Sequence, residues 1–292
     1  MSGSMVGAVI HKAASAVLNL WNYTPWARQL RVRRYRVASA RVPEAFDGFR
    51  IVQITDLHGR MFGPEQADLA ACVRKLRPDL ILITGDMVTD NYDGICRDAA
   101  RELYKAMDAI APSYAILGNH EIVSDRFMAI LKDIENSPVR LLRGESVRIA
   151  RDGSETEDKM VPVIRLAGMD SGPADGMLRR IDGDPDYVED RLRDFLPRND
   201  EYTILMNHKP EALPYCARCG VDLVFSGHAH GGLIRLGGDR SLIAPDQGFF
   251  PKYTRGLYRE GHTVEVVGTG LGGPRLGIRP EVVLTVLGSH SA

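Results

Sequence analysis

The chain has 292 residues, a hydrophobic content of 44%, a charged content of 26% and a net charge of −1. That length can bury a core and fits one large α/β domain or two small ones, while the balanced charge excludes a general nucleic-acid binder, which carries a basic excess. Four cysteines exclude a disulfide scaffold: Cys216 and Cys219 read as helical residues one turn apart, and Cys72 and Cys96 supply no second pair for a zinc or redox motif.

Residues 1–4, Met-Ser-Gly-Ser, resemble a cloning scar, with Met5 as the native start. Val6, Ile10, Ala13, Val17, Leu20 and Trp21 then fall at helical spacing, with His11, Lys12, Ser15, Asn19 and Asn22 on the other side. This predicts an amphipathic helix, too short and too polar for the ~20 apolar residues of a membrane span. Its end carries Trp21, Tyr23 and Trp26, followed by six arginines and no acid between Arg28 and Arg41. Aromatic residues beside a basic run suit an anionic bilayer surface. The same residues equally suit a helix docked on its own domain and an edge strand near Val32–Val37, so both readings stay open. The expectation is a peripheral membrane protein on the cytoplasmic face, with a soluble cytoplasmic protein as the alternative.

From Phe49 onward, strands and helices alternate. Ile51–Thr55, Asp79–Ile83 and Tyr114–Leu117 read as strands. Leu80-Ile81-Leu82-Ile83 is apolar on both faces, as in a sheet covered by helices. Helices are predicted at Pro64–Leu76, with Leu69, Cys72, Val73 and Leu76 on one face; at Ile95–Ile110, with Ile95, Ala99, Leu103, Ala106 and Ile110 in register; and at Ser124–Ile134. After Pro138 short β runs follow at Val139–Leu142, Val147–Ala150 and Val161–Ala167, around a polar insert at Asp152–Lys159 that reads as an exposed hairpin tip or mobile loop. A helix near Tyr187–Phe195 precedes the strands Tyr202–Met206 and Val221–Phe225. The last third is β-rich, at Leu233–Leu236, Ser241–Ala244, Thr263–Val267 and Val282–Leu287. The expected fold is α/β, with two mixed sheets packed face to face and helices outside.

Five of these strands end in chemistry-bearing residues: Asp56-x-His58, Gly85-Asp86, Gly118-Asn119-His120-Glu121, His208, and Gly227-His228-x-His230. Strand exits are where open α/β sheets place ligand sites. One such block is an ordinary turn; five in order point to a metal centre on one rim.

The five blocks resemble the calcineurin-like metallophosphoesterase superfamily, in which they occur in this order, and the resemblance covers roughly residues 49–287. With the residue pattern before it, this divides the chain into an amphipathic arm at 1–26, an arginine-rich connection and edge strand at 27–48, and, as the resemblance implies, a catalytic domain at 49–292. The resemblance also implies that Asp56, His58, Asp86 and His230 hold one metal, that Asp86, Asn119, His208 and His228 hold the other, and that Asp86 bridges the two. Nitrogen and oxygen donors without thiolate favour Mn, Fe or Zn over Ca or Mg. The implied function is a binuclear metal-dependent phosphodiesterase, in which a water or hydroxide shared by the ions attacks phosphorus and His120 protonates the leaving group. The alternatives are a phosphomonoesterase or nucleotide-lipid pyrophosphatase on the same site, or a non-catalytic scaffold of this fold. Glu121 reads as structural.

The chain looks most like the membrane-associated bacterial branch, whose last block usually reads Gly-His-Thr-His-Gly-Gly-Gln. Ala229 and Leu233 depart from it and remove polar groups near the pocket. Lys252, Tyr253 and Arg255, in a run that also resembles that branch, and Arg60, after His58, are candidate phosphate or headgroup contacts. The expected substrate is thus a phosphodiester, lipid- or wall-linked. Gly268-Thr269-Gly270-Leu271-Gly272-Gly273 fits a dinucleotide fingerprint, but Pro274, Gly277 and Pro280 oppose the helix that fingerprint needs. It reads as a flexible loop near the rim.

Overall fold

The computed structural model describes residues 24, 29–89, 92–171, 185–196, 200–237, 240–273 and 275–290. The amphipathic segment at 6–22 lies outside them. The strands are β1 (Arg31–Ala38), β2 (Arg50–Ile54), β3 (Leu80–Thr84), β4 (Ser113–Ile116), β5 (Arg140–Leu141), β6 (Glu145–Ile149), β7 (Ile164–Met169), β8 (Thr203–Asn207), β9 (Leu223–Ser226), β10 (Ile234–Gly237), β11 (Arg240–Ala244), β12 (Gly248–Phe249), β13 (Gly256–Glu260), β14 (Thr263–Val267) and β15 (Glu281–Gly288). The helices are α1 (Ala67–Leu76), α2 (Gly94–Asp108), α3 (Asn119–Val123), α4 (Phe127–Glu135), α5 (Pro185–Phe195) and α6 (Leu213–Arg218).

Two six-stranded sheets run β1-β15-β2-β3-β4-β5 and β13-β14-β9-β8-β7-β6, and β10-β11-β12 form a small third sheet. The alternation of β3 shows how the layers pack. Leu80 and Leu82 face Ile204, Met206, Leu223 and Phe225 of the other large sheet. Ile81 and Ile83 face outward onto Leu69, Val73, Leu103 and Ile130 of α1, α2 and α4. Each such side chain contributes ~1.5–3 kcal/mol by leaving water. Behind the second sheet, α5 and α6 cover Leu205 and Val224 with Leu192 and Cys216. The result is the expected sandwich of two mixed sheets between helices. Cys216 lies on α6 and Cys219 directly follows it, both free thiols.

Two local features differ from expectation. In α2, Ile95 is 75% exposed and Cys96 leads the buried face instead. Asp93 caps the helix through the Cys96 amide at 2.8 Å, which fixes the phase of the first turn. The segment Gly268–Gly272 opens no helix, as predicted, but it is buried rather than flexible. Its amides bond into the β2 exit, Leu271 N to Thr55 O at 3.1 Å and Gly272 N to Asp56 O at 2.6 Å. A Cβ at Gly270 would lie 2.5 Å from that of Asp56, so this glycine serves close approach, not mobility. The 152–159 insert does form the exposed connection of the antiparallel pair β6–β7.

Candidate metal centre

β2, β3 and β4 are mutually parallel, as are β7, β8 and β9, so each set opens its carboxyl ends on one edge. The two edges are tied together. Gln53 donates to Thr84 Oγ1 at 3.0 Å and to the Ser226 carbonyl at 2.8 Å, and His208 Nδ1 lies 2.7 Å from the Thr84 carbonyl. Three groups of donor atoms result, each within 4.8 Å of one another: Asp56, His58 and His230; His58, Asp86 and His120; Asp86, His208 and His228. Asn119 Oδ1 is 3.1 Å from His208 Nε2. The strand-exit residues therefore meet, and Asp86 belongs to two of the groups.

The backbone is bent to achieve this. Asp56 (φ 49°), His58 (49°), Asp86 (59°), His228 (64°) and His230 (52°) all take the left-handed conformation, which costs a non-glycine residue free energy and persists where the surroundings over-determine it. Gly227 has no room for a side chain: a Cβ there would stand 2.0 Å from Thr55 Oγ1 and 2.4 Å from Asp56 Oδ2. Asp56 accepts from Thr55 Oγ1 at 2.7 Å and from the His228 amide at 3.1 Å, which aims it across the gap between the sheets.

These residues fit divalent cations. Asp56 and Asp86 are buried, as are His208, His228 and His230. His58 Nε2 and His230 Nδ1 are buried without a hydrogen-bond partner. Orphaned atoms of this kind cost ~1–3 kcal/mol each, more for charged groups. His208 shows what is missing. Its Nδ1–H is spent on Thr84, so Nε2 points a lone pair at Asn119 Oδ1 and Asp86 Oδ2, both 3.1 Å away. Three acceptors facing one another require a cation or an added proton. Burial disfavours the added proton, but Asp86 outweighs burial and pushes the imidazole up to about 10. Burial dominates at His58, holding it down to about 3, and drives His230 down too, so both keep lone pairs for coordination.

Glu121 is the structural clamp of the site. Its buried carboxylate accepts from the amides of Asp86 (2.9 Å), Met87 (2.6 Å), Val88 (3.1 Å) and Gly118 (2.8 Å), joining the exits of β3 and β4. Burial pushes the carboxyl up to about 7 and the amides of Val88 and Asp86 pull it back. Glu121→Ala strands four amides at ~1–3 kcal/mol each. The expected loss is at least ~3 kcal/mol of unfolding free energy, read from the fall in the urea midpoint multiplied by m, with Glu121→Gln in between. A Glu121→Ala protein as stable as the parent would show that the clamp is dispensable.

The candidate substrate contacts are placed less centrally. Arg60 is half-buried, donates to the Leu271 carbonyl at 3.3 Å and sits over the Phe62 ring. Lys252 is exposed, with Nζ 4.6 Å from the Tyr253 ring centroid. Tyr253 is buried edge-on against Tyr258, and the Arg255 amide bonds Tyr258 Oη at 3.3 Å. Two residues at the site escaped the sequence reading. Arg275, fully buried, donates to the carbonyls of Thr269 and Gly270 at 2.9 Å and so supports the loop beneath Asp56. Asp246 lies 3.0 Å from His228 Nε2. Pro-Asp-Gln-Gly signals only a turn.

Residues 49–232 match the family model described as calcineurin-like phosphoesterase. Over 265 residues the chain is 32% identical to the metallophosphoesterase YkuE of Bacillus subtilis (strain 168), covering 87% of this chain and 84% of that protein. It is 26% identical over 246 residues to the phosphodiesterase YaeI of Escherichia coli (strain K12), covering 82% of each. It is 23% identical over 264 residues to the UDP-2,3-diacylglucosamine pyrophosphatase LpxG of Chlamydia muridarum (strain MoPn / Nigg), covering 72% of this chain and 74% of that protein.

Proposed function

This chain belongs to the calcineurin-like phosphoesterase family and is a metal-dependent hydrolase of phosphoric esters, and from that premise we propose that it is a binuclear phosphodiesterase. The observation that carries the reading is the position of Asp86, common to two groups of donors, where one carboxylate can offset the repulsion of two cations. Asp56, His58, Asp86 and His230 would hold one ion, and Asp86, Asn119, His208 and His228 the other; the donor set favours Mn, Fe or Zn. When bound, such ions lower the pKa of water and stabilise charge on phosphoryl oxygens.

The chain's own groups supply the rest. Asp86 Oδ1 accepts the His120 amide at 2.9 Å, which fixes the start of α3 beside the centre. The His120 ring stands edge-on to His58 with centroids 4.8 Å apart, and its side chain is 30% exposed. It therefore borders both the buried donors and solvent, where a general acid can deliver a proton to the leaving oxygen and be recharged.

The preference for diesters is supported by the activity named for YaeI, whereas the activity named for LpxG, cleavage of a phosphoanhydride, favours the pyrophosphatase alternative on the same site. LpxG acts on a lipid-bearing substrate, which favours a lipid-linked phosphoryl substrate presented near a membrane. Contact with that surface falls to the arm at 1–26, with Lys252 and Arg255 as headgroup contacts and the buried Tyr253 supporting Lys252 from beneath; among the described residues no helix is long and apolar enough to cross a membrane. With Mn²⁺ added, bis-(p-nitrophenyl) phosphate should be turned over faster than p-nitrophenyl phosphate. A monoester rate well above the diester rate would replace this reading with a phosphomonoesterase.

A further inference from the structure

Asp246 sits in the turn between β11 and β12 in a left-handed conformation, φ 55°. Its Oδ2 is 3.0 Å from His228 Nε2 and 3.1 Å from Lys209 Nζ, so it meets residues from the exits of β9 and β8 at once. The turn is held in place. Gln247 exchanges two hydrogen bonds with the Tyr253 backbone, at 2.6 and 2.8 Å. Ser241 Oγ donates to the Gly231 carbonyl at 2.7 Å, and the Leu233 amide donates to Ile243 at 2.8 Å, pinning β11 against the loop that carries His228 and His230.

A neutral imidazole carries one N–H and one lone pair, and the partner of one nitrogen decides the role of the other. The buried His208 is set this way by the Thr84 carbonyl. His58 Nε2 and His230 Nδ1, by contrast, have no hydrogen-bond partner. We infer that Asp246 is a positioning residue for one half of the metal centre: it takes the Nε2–H of His228 and so leaves the Nδ1 lone pair for the cation that His228 shares with Asp86 and His208. Lys209 neutralises part of the added negative charge. The inference rests on the binuclear reading above. It adds that the affinities of the two cation positions are separable, because His228 belongs to one group of donors and not to the group of Asp56, His58 and His230.

The test is a titration of chelator-stripped, full-length protein with Zn²⁺ in competition with a chromophoric chelator. Wild type should bind two ions. Asp246→Asn, which keeps the size but not the charge, and Asp246→Ala should weaken one of the two by roughly 10–100-fold and leave the other unchanged. The ring-nitrogen NMR signals of His228 in wild type should report protonated Nε2. Wild-type affinities for both ions in both variants, or a proton on Nδ1 of His228, would overturn the inference while leaving the binuclear reading intact. A wild-type protein that binds fewer than two ions would overturn both.

Discussion

Asp86→Asn should leave the purified protein with less than about one cation per chain and depress turnover of bis-(p-nitrophenyl) phosphate more than ~10³-fold, beyond the roughly 10–100-fold typical of losing an outer partner of a ligand. The reasoning is positional. Asp86 is the residue common to the donors of the β2–β4 exits, through His58 and His120, and to those of the second sheet, through His208 and His228. An amide in its place can offer one oxygen but cannot offset the charge of two cations. Asparagine is the informative replacement, because it tolerates the left-handed φ of 59° and can still accept the His120 amide, as Oδ1 does at 2.9 Å. Asp86→Ala should empty the site as well, with added backbone strain. Two retained cations and undiminished turnover in Asp86→Asn would remove Asp86 from the centre.

Much of this site was legible because strand chemistry is local. A run such as Leu80–Ile83 fixes a two-faced buried strand, and the polar residues that follow have to lie at its end. The same argument at β2, β4, β8 and β9 places the ligand residues on one rim from the sequence alone. A structural role for Glu121 was legible for a similar reason: a carboxylate in the first turn of the helix that follows Gly118 favours that helix N-terminus. What it does for the β3 exit was not, since the amides of Asp86, Met87 and Val88 arrive from 33 to 35 residues earlier.

The rest was hidden by the same locality. Asp246 follows His228 by 18 positions in a turn whose composition accounts for itself, so nothing marked it as a partner of a ligand. The glycines of 268–273 carried the opposite error. Many glycines in sequence read as freedom, whereas Gly270 and Gly272 here buy close contact: a Cβ at Gly272 would meet the Leu57 carbonyl at 2.1 Å. In α2 the periodicity fixed the helix but not its phase, because Ile95 and Cys96 both fit an apolar stripe and only the Asp93 cap distinguishes them.

His120→Ala should separate chemistry from metal binding. The substitution leaves the His120 amide, and hence its bond to Asp86, in place. Cation content should therefore match wild type. For a diester with an alkyl leaving group, kcat should fall by ~10²–10⁴-fold, the usual contribution of a positioned general acid. For bis-(p-nitrophenyl) phosphate the loss should be much smaller, since p-nitrophenolate departs without being protonated. The contrast between leaving groups is decisive because the geometry admits a rival role. His120 Nε2 is 4.0 Å from Asp86 Oδ2 and shares a group of donors with His58 and Asp86, so it could act as a ligand. A ligand's removal would release a cation and slow both esters alike. That pattern would transfer the proton to another group and make His120 part of the metal site.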